Sequence, residues 1–330
     1  MALLLTLMIT VILAVIVLEF NYIMRVHATL SGNLTDDLKA ESAANAGINT
    51  VEALLLNDML ADSEKDVFAD TLEEDWASEI TVKTGDASAA VAVSDEMSKL
   101  NLNRLVTAPQ DEAGIESVNE AMLENVRRLF EVLELDANLV DCIVDWIDEN
   151  DEERQFGAEA AHYESLDPPV KCKNGPMDSV EELLLLKGFD TEMLYGGEDT
   201  PGLAKFVTVC GDENGSININ TAPVEVLAAV LNSESSASTI VDSRETSPFE
   251  SREDMATRAP GIDLSEKCTT WSSFFLVTSI GSIGSEPSTT RNVSIKALLK
   301  RVRNEEGQAE GQELGEDYFS IDTAYWKVER

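Results

Sequence analysis

The densest set of oxygen ligands on this chain lies between Asp145 and Glu159. Asp148, Asn150 and Glu152 alternate, and Glu159 follows Asp148 by eleven residues, which is the spacing of the first, third, fifth and twelfth positions of an EF-hand loop. Hard oxygen donors in that pattern would take calcium. The pattern is incomplete, because the sixth position, where the sharp turn needs Gly, is Glu153, and Gly157 stands at the tenth. The plainer reading of the same string is a charged loop closing a helix. Asp145 would ligate, cap or brace the loop, and Trp146 reads as core. Asp178, Glu181 and Glu182 would complete a site or complement the dipole of the helix they begin.

Other chemistries find less support. The two histidines, His27 and His162, stand in no nucleophile or metal motif, and carboxylate pairs in so acidic a chain are mostly solvated surface, so no catalysis is expected. Cys142, Cys172, Cys210 and Cys268 lack close CxxC spacing. In an oxidising compartment they would form up to two disulfides, with the connectivity open; the alternative for Cys142, inside an apolar helical stretch, is a buried free thiol. A helix-hairpin-helix pattern runs through Asn218 to Asp263, with Ile240-Val241-Asp242-Ser243-Arg244, Pro248-Phe249 and Ala259-Pro260-Gly261-Ile262. It raises a membrane-anchored DNA-binding or DNA-uptake protein as the alternative function. Against it, Leu227 to Ile240 has no Gly where the first hairpin would turn, Glu225, Glu234, Asp242, Glu245, Glu250 and Glu253 surround the module, and the formal net charge of -38 repels phosphate. A helical packing module without nucleic acid is the favoured reading.

These residues must be held by a larger scaffold. Ala2 to Leu18 is an unbroken apolar run without charge, Pro or Gly, long enough at about 1.5 Å per residue to form a membrane-crossing helix of roughly 26 Å. No basic region precedes it, unlike a secretory signal peptide. The strongly acidic remainder suits an extracytoplasmic compartment. The first Pro is Pro109, so one helix can continue to Leu60, and its second half carries an apolar stripe (Phe20, Ile23, Met24, Val26, Leu30, Leu34, Leu38, Ile48, Val51, Leu55) able to pack on a globular domain. Glu79 to Thr84 alternates like a strand, turns at Gly85-Asp86 and pairs with Ala89 to Val93. Glu112 to Ile147 and Asp178 to Leu186 read as helical; Phe206 to Val209, Ser216 to Ile219, Phe274 to Ile280 and Asn292 to Leu299 read as strands. The expected class is α+β, a small antiparallel sheet packed on a long N-terminal helix and interrupted by an inserted helical domain. The expected divisions are an N-terminal helix 1–60, a first sheet part 61–107, a helical insertion 108–205, a second sheet part 206–303 containing a helical segment 220–263, and a linker and tail 304–330. Tyr318 to Arg330 would be an edge strand or a loose end.

The order of these elements and several local strings carry a resemblance. They are the apolar start Ala2-Leu3-Leu4-Leu5-Thr6-Leu7; Asp95-Glu96-Met97-Ser98-Lys99-Leu100-Asn101-Leu102-Asn103; Val144-Asp145-Trp146-Ile147-Asp148 with Gly157-Ala158-Glu159 and Tyr163; Ser179-Val180-Glu181-Glu182-Leu183 leading to Lys187-Gly188-Phe189; and Gly215-Ser216-Ile217-Asn218-Ile219-Asn220-Thr221-Ala222-Pro223 with Val226-Leu227. Together they resemble the K-type minor pseudopilin family of the bacterial type II secretion system, also called the general secretion pathway protein K family. The resemblance implies a type IV pilin-like fold whose helical insertion holds helix-hairpin-helix or SAM-like segments. It also implies an inner-membrane anchor with a periplasmic globular part, assembly with other minor pseudopilins at a filament tip, proximity to secreted substrates and the outer-membrane secretin, no nucleic acid, and calcium in the helical domain. It further implies a short basic leader ending in Gly ahead of Met1, which would be the methylated mature N-terminus, unless such a leader has been cut away. The fifth position, Glu in most pilin-like subunits, is Leu5, which suits a subunit with no neighbour above it.

Overall fold

The computed structural model describes residues 2–107, 117–197, 200–262, 264, 267–284, 290–303 and 319–329. Met1 and the expected 304–317 linker lie outside them.

Helix α1 (Ala2–Lys65) runs five residues past the expected end, and at about 1.5 Å per residue is roughly 96 Å long. No proline interrupts it, and its two glycines, Gly32 and Gly47, are tolerated. Its N-terminal part has a mean hydropathy of 2.8 over the best window, long and apolar enough to cross a membrane. The expected packing stripe does not begin at Phe20. Residues Phe20, Ile23, Leu30, Leu34 and Leu38 are exposed, and burial starts at Ala40, continuing through Ala43, Ala44, Gly47, Ile48, Val51, Leu55 and Met59. The reason is size. The strand beneath approaches the helix so closely that a Cβ on Gly281 would collide with the Ala40 carbonyl and the Ala44 amide, and one on Gly47 would meet Ser279 Oγ and Val91. Only Ala and Gly on the helix permit that approach; the Ser279 hydroxyl uses it, donating to Ala44 O at 2.8 Å.

The sheet comprises β1 (Ile80–Thr84), β2 (Ala87–Asp95), β3 (Phe274–Ile283), β4 (Arg291–Arg303) and β5 (Phe319–Glu329), in that spatial order and antiparallel at every step. Gly85, at φ 62, makes the turn between β1 and β2. Alternation along β3 places Phe275, Val277, Ser279 and Gly281 on the α1 face, where Trp76 meets Phe275 edge to face at 5.0 Å. Residues 319–329 form the edge strand β5, the first of the two readings of Tyr318 to Arg330, and pair with β4 at every residue except Ala324, which sits at a bulge.

The helical domain is inserted between β2 and β3. It contains α2 (Glu120–Val132), α3 (Val140–Ile147), α4 (Ala160–Glu164), α5 (Thr191–Tyr195), α6 (Val224–Leu231), α7 (Glu234–Thr246) and α8 (Arg252–Arg258). The stretch Asp178 to Leu186, read as helical, forms a 3-10 turn at Val180–Leu185. The expected boundary at 205/206 is corrected by the core: Leu100, Phe130, Ile143, Val207, Ile217, Leu227 and Cys268 belong to one buried cluster, distinct from the α1–sheet cluster. Phe206 to Val209 and Ser216 to Ile219 do contain strands, but these are two residues long and lie outside the five-stranded sheet. Each contributes a two-residue parallel bridge, Val207–Thr208 with Leu100–Asn101 and Ile217–Asn218 with Cys268–Thr269. Alternation identified them as extended but could not say which partner they would find.

Filling the close helix–strand contact should be costly. Gly281→Val is expected to lower stability by about 2 kcal/mol or more through overpacking, whereas Gly32→Val, with nothing within 4 Å of its added Cβ, should cost less than half as much. Urea unfolding of both variants in detergent, followed by tryptophan fluorescence, checks the difference.

Candidate metal centre and the joint that positions it

All eight residues of α3 are buried, including Asp141 and Asp145. Two acids in a core need partners. Asp141 has them: Arg127 Nη2 at 2.7 Å, Arg154 Nε at 3.4 Å and the Phe156 amide at 3.3 Å. Asp145 has fewer. Its Oδ2 accepts from the Arg154 amide at 3.1 Å and lies against Gly157, where any Cβ would collide with it. Gly157 therefore makes room for a carboxylate and is not the turn residue of an EF-hand. Asp145 Oδ1, both carboxylate oxygens of Glu159 and Asn174 Oδ1 are buried without a hydrogen-bond partner among the described residues. Asp148, the C-cap of α3, is buried beside them.

Burial pushes the Asp145 carboxyl up to about 6, with the Arg154 amide opposing and Asp148 adding to the rise. Burial also lifts Glu159, to about 7, reinforced by Asp145, Asp148 and Asp151. Buried carboxylates that raise one another, with oxygens lacking donors, are what a hard divalent cation would satisfy. Asp145, Asp148 and Glu159 are buried carboxylates of this kind, and Asn174 Oδ1 is a further buried oxygen without a donor, but the three acids do not all bring ligand atoms within 4.8 Å of one another.

The expected ligands Asn150 and Glu152 are not brought in. Both are exposed, and Asn150 Oδ1 accepts from the Glu152 amide at 2.7 Å, a local turn that occupies the would-be ligand atom. Asn174 was not foreseen; it enters from a distant segment at φ 45, beyond the reach of any spacing rule. Of the accessory acids, Glu182 accepts from Trp146 Nε1 at 3.1 Å and Lys173 Nζ at 2.7 Å, and Asp178 pairs with Lys173 at 2.7 Å, so both brace the loop. The acids whose oxygens do lie within 4.8 Å of one another are Asp58, Asp70 and Glu74, and there the Arg301 guanidinium already pairs with Asp58, at 2.7 Å, and with Asp70. The four cysteines are free thiols, in place of the disulfides considered from sequence; Cys142 Sγ donates to Phe156 O at 3.3 Å and Cys172 Sγ to Asp145 O at 3.9 Å.

The helical domain is fastened to the sheet through Asp95, at the end of β2. Its carboxylate accepts from the Met97 amide at 2.8 Å, Ser272 Oγ at 2.7 Å, Asn218 Nδ2 at 3.2 Å and the Thr221 hydroxyl. Burial raises its pKa, and the hydroxyls of Thr221 and Ser272 oppose that rise. Asn218 also donates to Asp70 O at 3.2 Å, and Asp70 holds the Ser272 amide and Arg301. Next to this joint, Asn220 pairs twice with the Phe249 backbone, at 2.9 and 2.8 Å, and Asn103 does the same with Met177, at 2.9 and 2.8 Å. The Asn- and Asp-rich strings of the sequence are thus buried fasteners.

In the helix-hairpin-helix module two of the three arginines, Arg244 and Arg258, are engaged within the fold, and Arg252 is exposed among acids at the start of α8. Asn232, at φ 51, replaces the missing hairpin Gly. Arg244 donates to the Ile219 and Ala222 carbonyls, both at 2.7 Å; Arg258 pairs with Asp254, lies 4.2 Å from the centre of the Phe249 ring and donates to the carbonyls of Pro248, Ser243 and Ser247. The DNA-uptake alternative finds no support.

Removing the hub carboxylate should leave the buried Thr221 and Ser272 hydroxyls without their acceptor and Asn218 with only Asp70 O and Ser272 Oγ. Asp95→Ala is expected to cost about 3 kcal/mol or more and to expose the segment between α5 and α6 to limited proteolysis before the sheet unfolds; Asn150→Ala, at an exposed local turn, should cost about 0.5 kcal/mol or less.

Two family models for type II secretion system protein K match this chain, at residues 98–210 and 217–270, together half of its length. Type II secretion system protein K of Aeromonas hydrophila is 27% identical over 233 residues, 66% of this chain and 69% of that protein. The Pseudomonas aeruginosa protein is 30% identical over 220 residues, 64% of this chain and 62% of its own length, so the match spans less than two thirds of that relative. The crystal structure of the GspK–GspI–GspJ complex from the enterotoxigenic Escherichia coli type 2 secretion system contains a chain of the same fold, with a TM-score of 0.61 at 17% identity over 93% of this chain and 99% of that one. With the pilin-like helix and sheet, the inserted helical domain and both family matches in place, the chain belongs to the type II secretion system protein K family, the minor pseudopilins of that system.

Proposed function

We infer that this chain caps the tip of a periplasmic pseudopilus, held in the inner membrane by the first part of α1, and that it acts as a structural subunit without catalysis in the export of folded proteins. The observation that carries this reading is the rigid mounting of a large helical domain on the end of a pilin-sized sheet through Asp95. Such a bulk, immobile against the sheet, is incompatible with tight helical repetition of identical subunits. The stretch of α1 between the membrane run and Ala40, with exposed Leu30, Leu34 and Leu38, is available to neighbouring helices. The partners are other minor pseudopilins, as in the GspK–GspI–GspJ complex of the structural neighbour; secreted substrates and the secretin are further partners of the same tip. A heterologous contact made on one face only ends growth in that direction.

Calcium belongs to this reading. Asp145, Asp148, Glu159 and Asn174 would hold it, and it would neutralise carboxylates that the helical domain otherwise buries together. A ligand that binds only the folded state stabilises it, by about 2.7 kcal/mol at a hundredfold excess over Kd.

Two measurements test these statements. Immunogold labelling of filaments should place this chain at one end only; label repeated along the shaft would overturn the cap. Thermal melts with calcium should lie several degrees above melts with chelator, and Asp145→Asn with Glu159→Gln should abolish the difference while leaving the chelated protein at least as stable as before, because mutual repulsion has been removed. Equal melting temperatures for the unsubstituted chain with and without calcium would overturn the metal assignment.

A further inference from the structure

Strand β5 leaves one side of the sheet open. It pairs with β4 from Phe319↔Arg303 to Glu329↔Ser294, with a bulge at Ala324, and no strand among the described residues flanks its other side, so alternate backbone N–H and C=O groups face outward in two stretches, 319–323 and 325–329. A single lysine on an edge is an ordinary guard against unwanted pairing. The partner across the ladder is not ordinary. Lys327 stands directly opposite Lys296, and like charges so placed destabilise a sheet. One exposed carboxylate, Glu329, pairs with Lys327 at 2.7 Å and also sits in the field of Lys296, so two ammonium groups share one anion.

The neighbourhood extends this reversal of charge. Apart from the buried and paired Arg301, strands β4 and β5 carry Arg291, Lys296, Lys300, Arg303 and Lys327 against only Asp322 and Glu329, in a chain with 62 acidic and 24 basic residues. Lys296, Leu298, Tyr325 and Lys327 form one wall of a cleft of about 250 Å³ between the sheet and the helical domain. Its own carboxylates are largely engaged: Glu96 by Lys99 and Thr208, Asp178 by Lys173, with Glu181 facing Lys327. On the edge itself Tyr325, Trp326 and Val328 are 41%, 44% and 37% exposed.

We propose that the β5 edge receives, by strand addition, an extended acidic segment of another protein. Main-chain hydrogen bonds to the open edge supply the affinity, and side-chain alternation supplies the selectivity. Carboxylates on one face of the added strand reach Lys296 and Lys327 at the cleft; β-branched residues on the other face cover Trp326 and Val328. The rest of this chain's surface is acidic, so an acidic segment is repelled everywhere except at this edge.

The probe is a short fluorescein-labelled peptide of alternating Glu and Val, titrated against the full chain in neutral detergent and read by fluorescence anisotropy. The peptide should bind, a Lys–Val peptide should not, and Lys296→Glu with Lys327→Glu should weaken binding by about tenfold or more and transfer preference to the Lys–Val peptide. Peptides N-methylated at all Val or at all Glu amides separate pairing through the backbone from simple charge attraction, and at least one of them must fail. The proposal is overturned if both methylated peptides bind like the parent, if the charge-reversed protein still prefers Glu–Val, or if the edge is occupied by a second copy of this chain that the peptide does not displace.

Discussion

The carboxylate of Asp95 is the constraint on which the arrangement of this molecule rests. It is completely enclosed, yet it accepts hydrogen bonds from the strand that carries it, from Ser272 at the entry to β3, and from Asn218 and Thr221 in the helical domain. A charge buried in protein is tolerated only when such donors surround it, and those donors in turn have no other acceptor of comparable strength. The result is mutual. Each segment is placed by the others, and the second acid, Asp70, extends the arrangement through Ser272 to Arg301 and Asp58. Apolar contact alone would let two cores slide or rotate against each other; a directed network between them does not.

This joint explains how an insertion of such length is compatible with an antiparallel sheet. The chain leaves at the end of β2 and returns at β3, and those two strands are neighbours, paired from Ala87↔Ile283 to Asp95↔Phe275. The exit and return points are therefore close, and closing a long loop whose ends are already adjacent adds little entropy cost per further residue. Asp95 lies at the last pair of that ladder, where the two cores meet. The sheet is in turn bound to α1 by a contact so close that only small residues fit, which makes helix, sheet and helical domain one mechanical unit.

Electrostatics divides the surface and interior of this unit into different roles. Most of its 62 carboxylates are solvated and keep the chain apart from other anions. A few are buried, and there the partners differ: Asp141 and Asp70 have arginines, Asp95 has neutral donors, and Asp145 with Glu159 has oxygens that lack a well-formed hydrogen bond among the described residues. The same residue type thus serves as an ion-pair partner, a fastener and a candidate metal ligand, and the surrounding donors decide which.

Much was legible in the sequence because it depends on local pattern. The apolar run Ala2–Leu18, the unbroken helix behind it, the Gly85 hairpin and the helical periodicity of α2, α3 and α6 follow from spacing and from the absence of breakers, and the concentration of acids from Asp145 to Glu159 is plain in the sequence. Of the residues grouped there, Asp145, Asp148 and Glu159 are buried, whereas Asn150 and Glu152, included by a loop template, are exposed. What tertiary structure alone decided are the pairings between distant residues: Asn174 against Asp151, Val207 and Ile217 joining the helical core instead of the main sheet, β5 pairing with β4, and Asn218 and Thr221 converging on Asp95. Periodicity states which face of an element is apolar; it does not state what that face or a buried amide will meet. That choice is made by close packing and by the need to satisfy every buried polar group at once, conditions that exist only when the whole chain is folded.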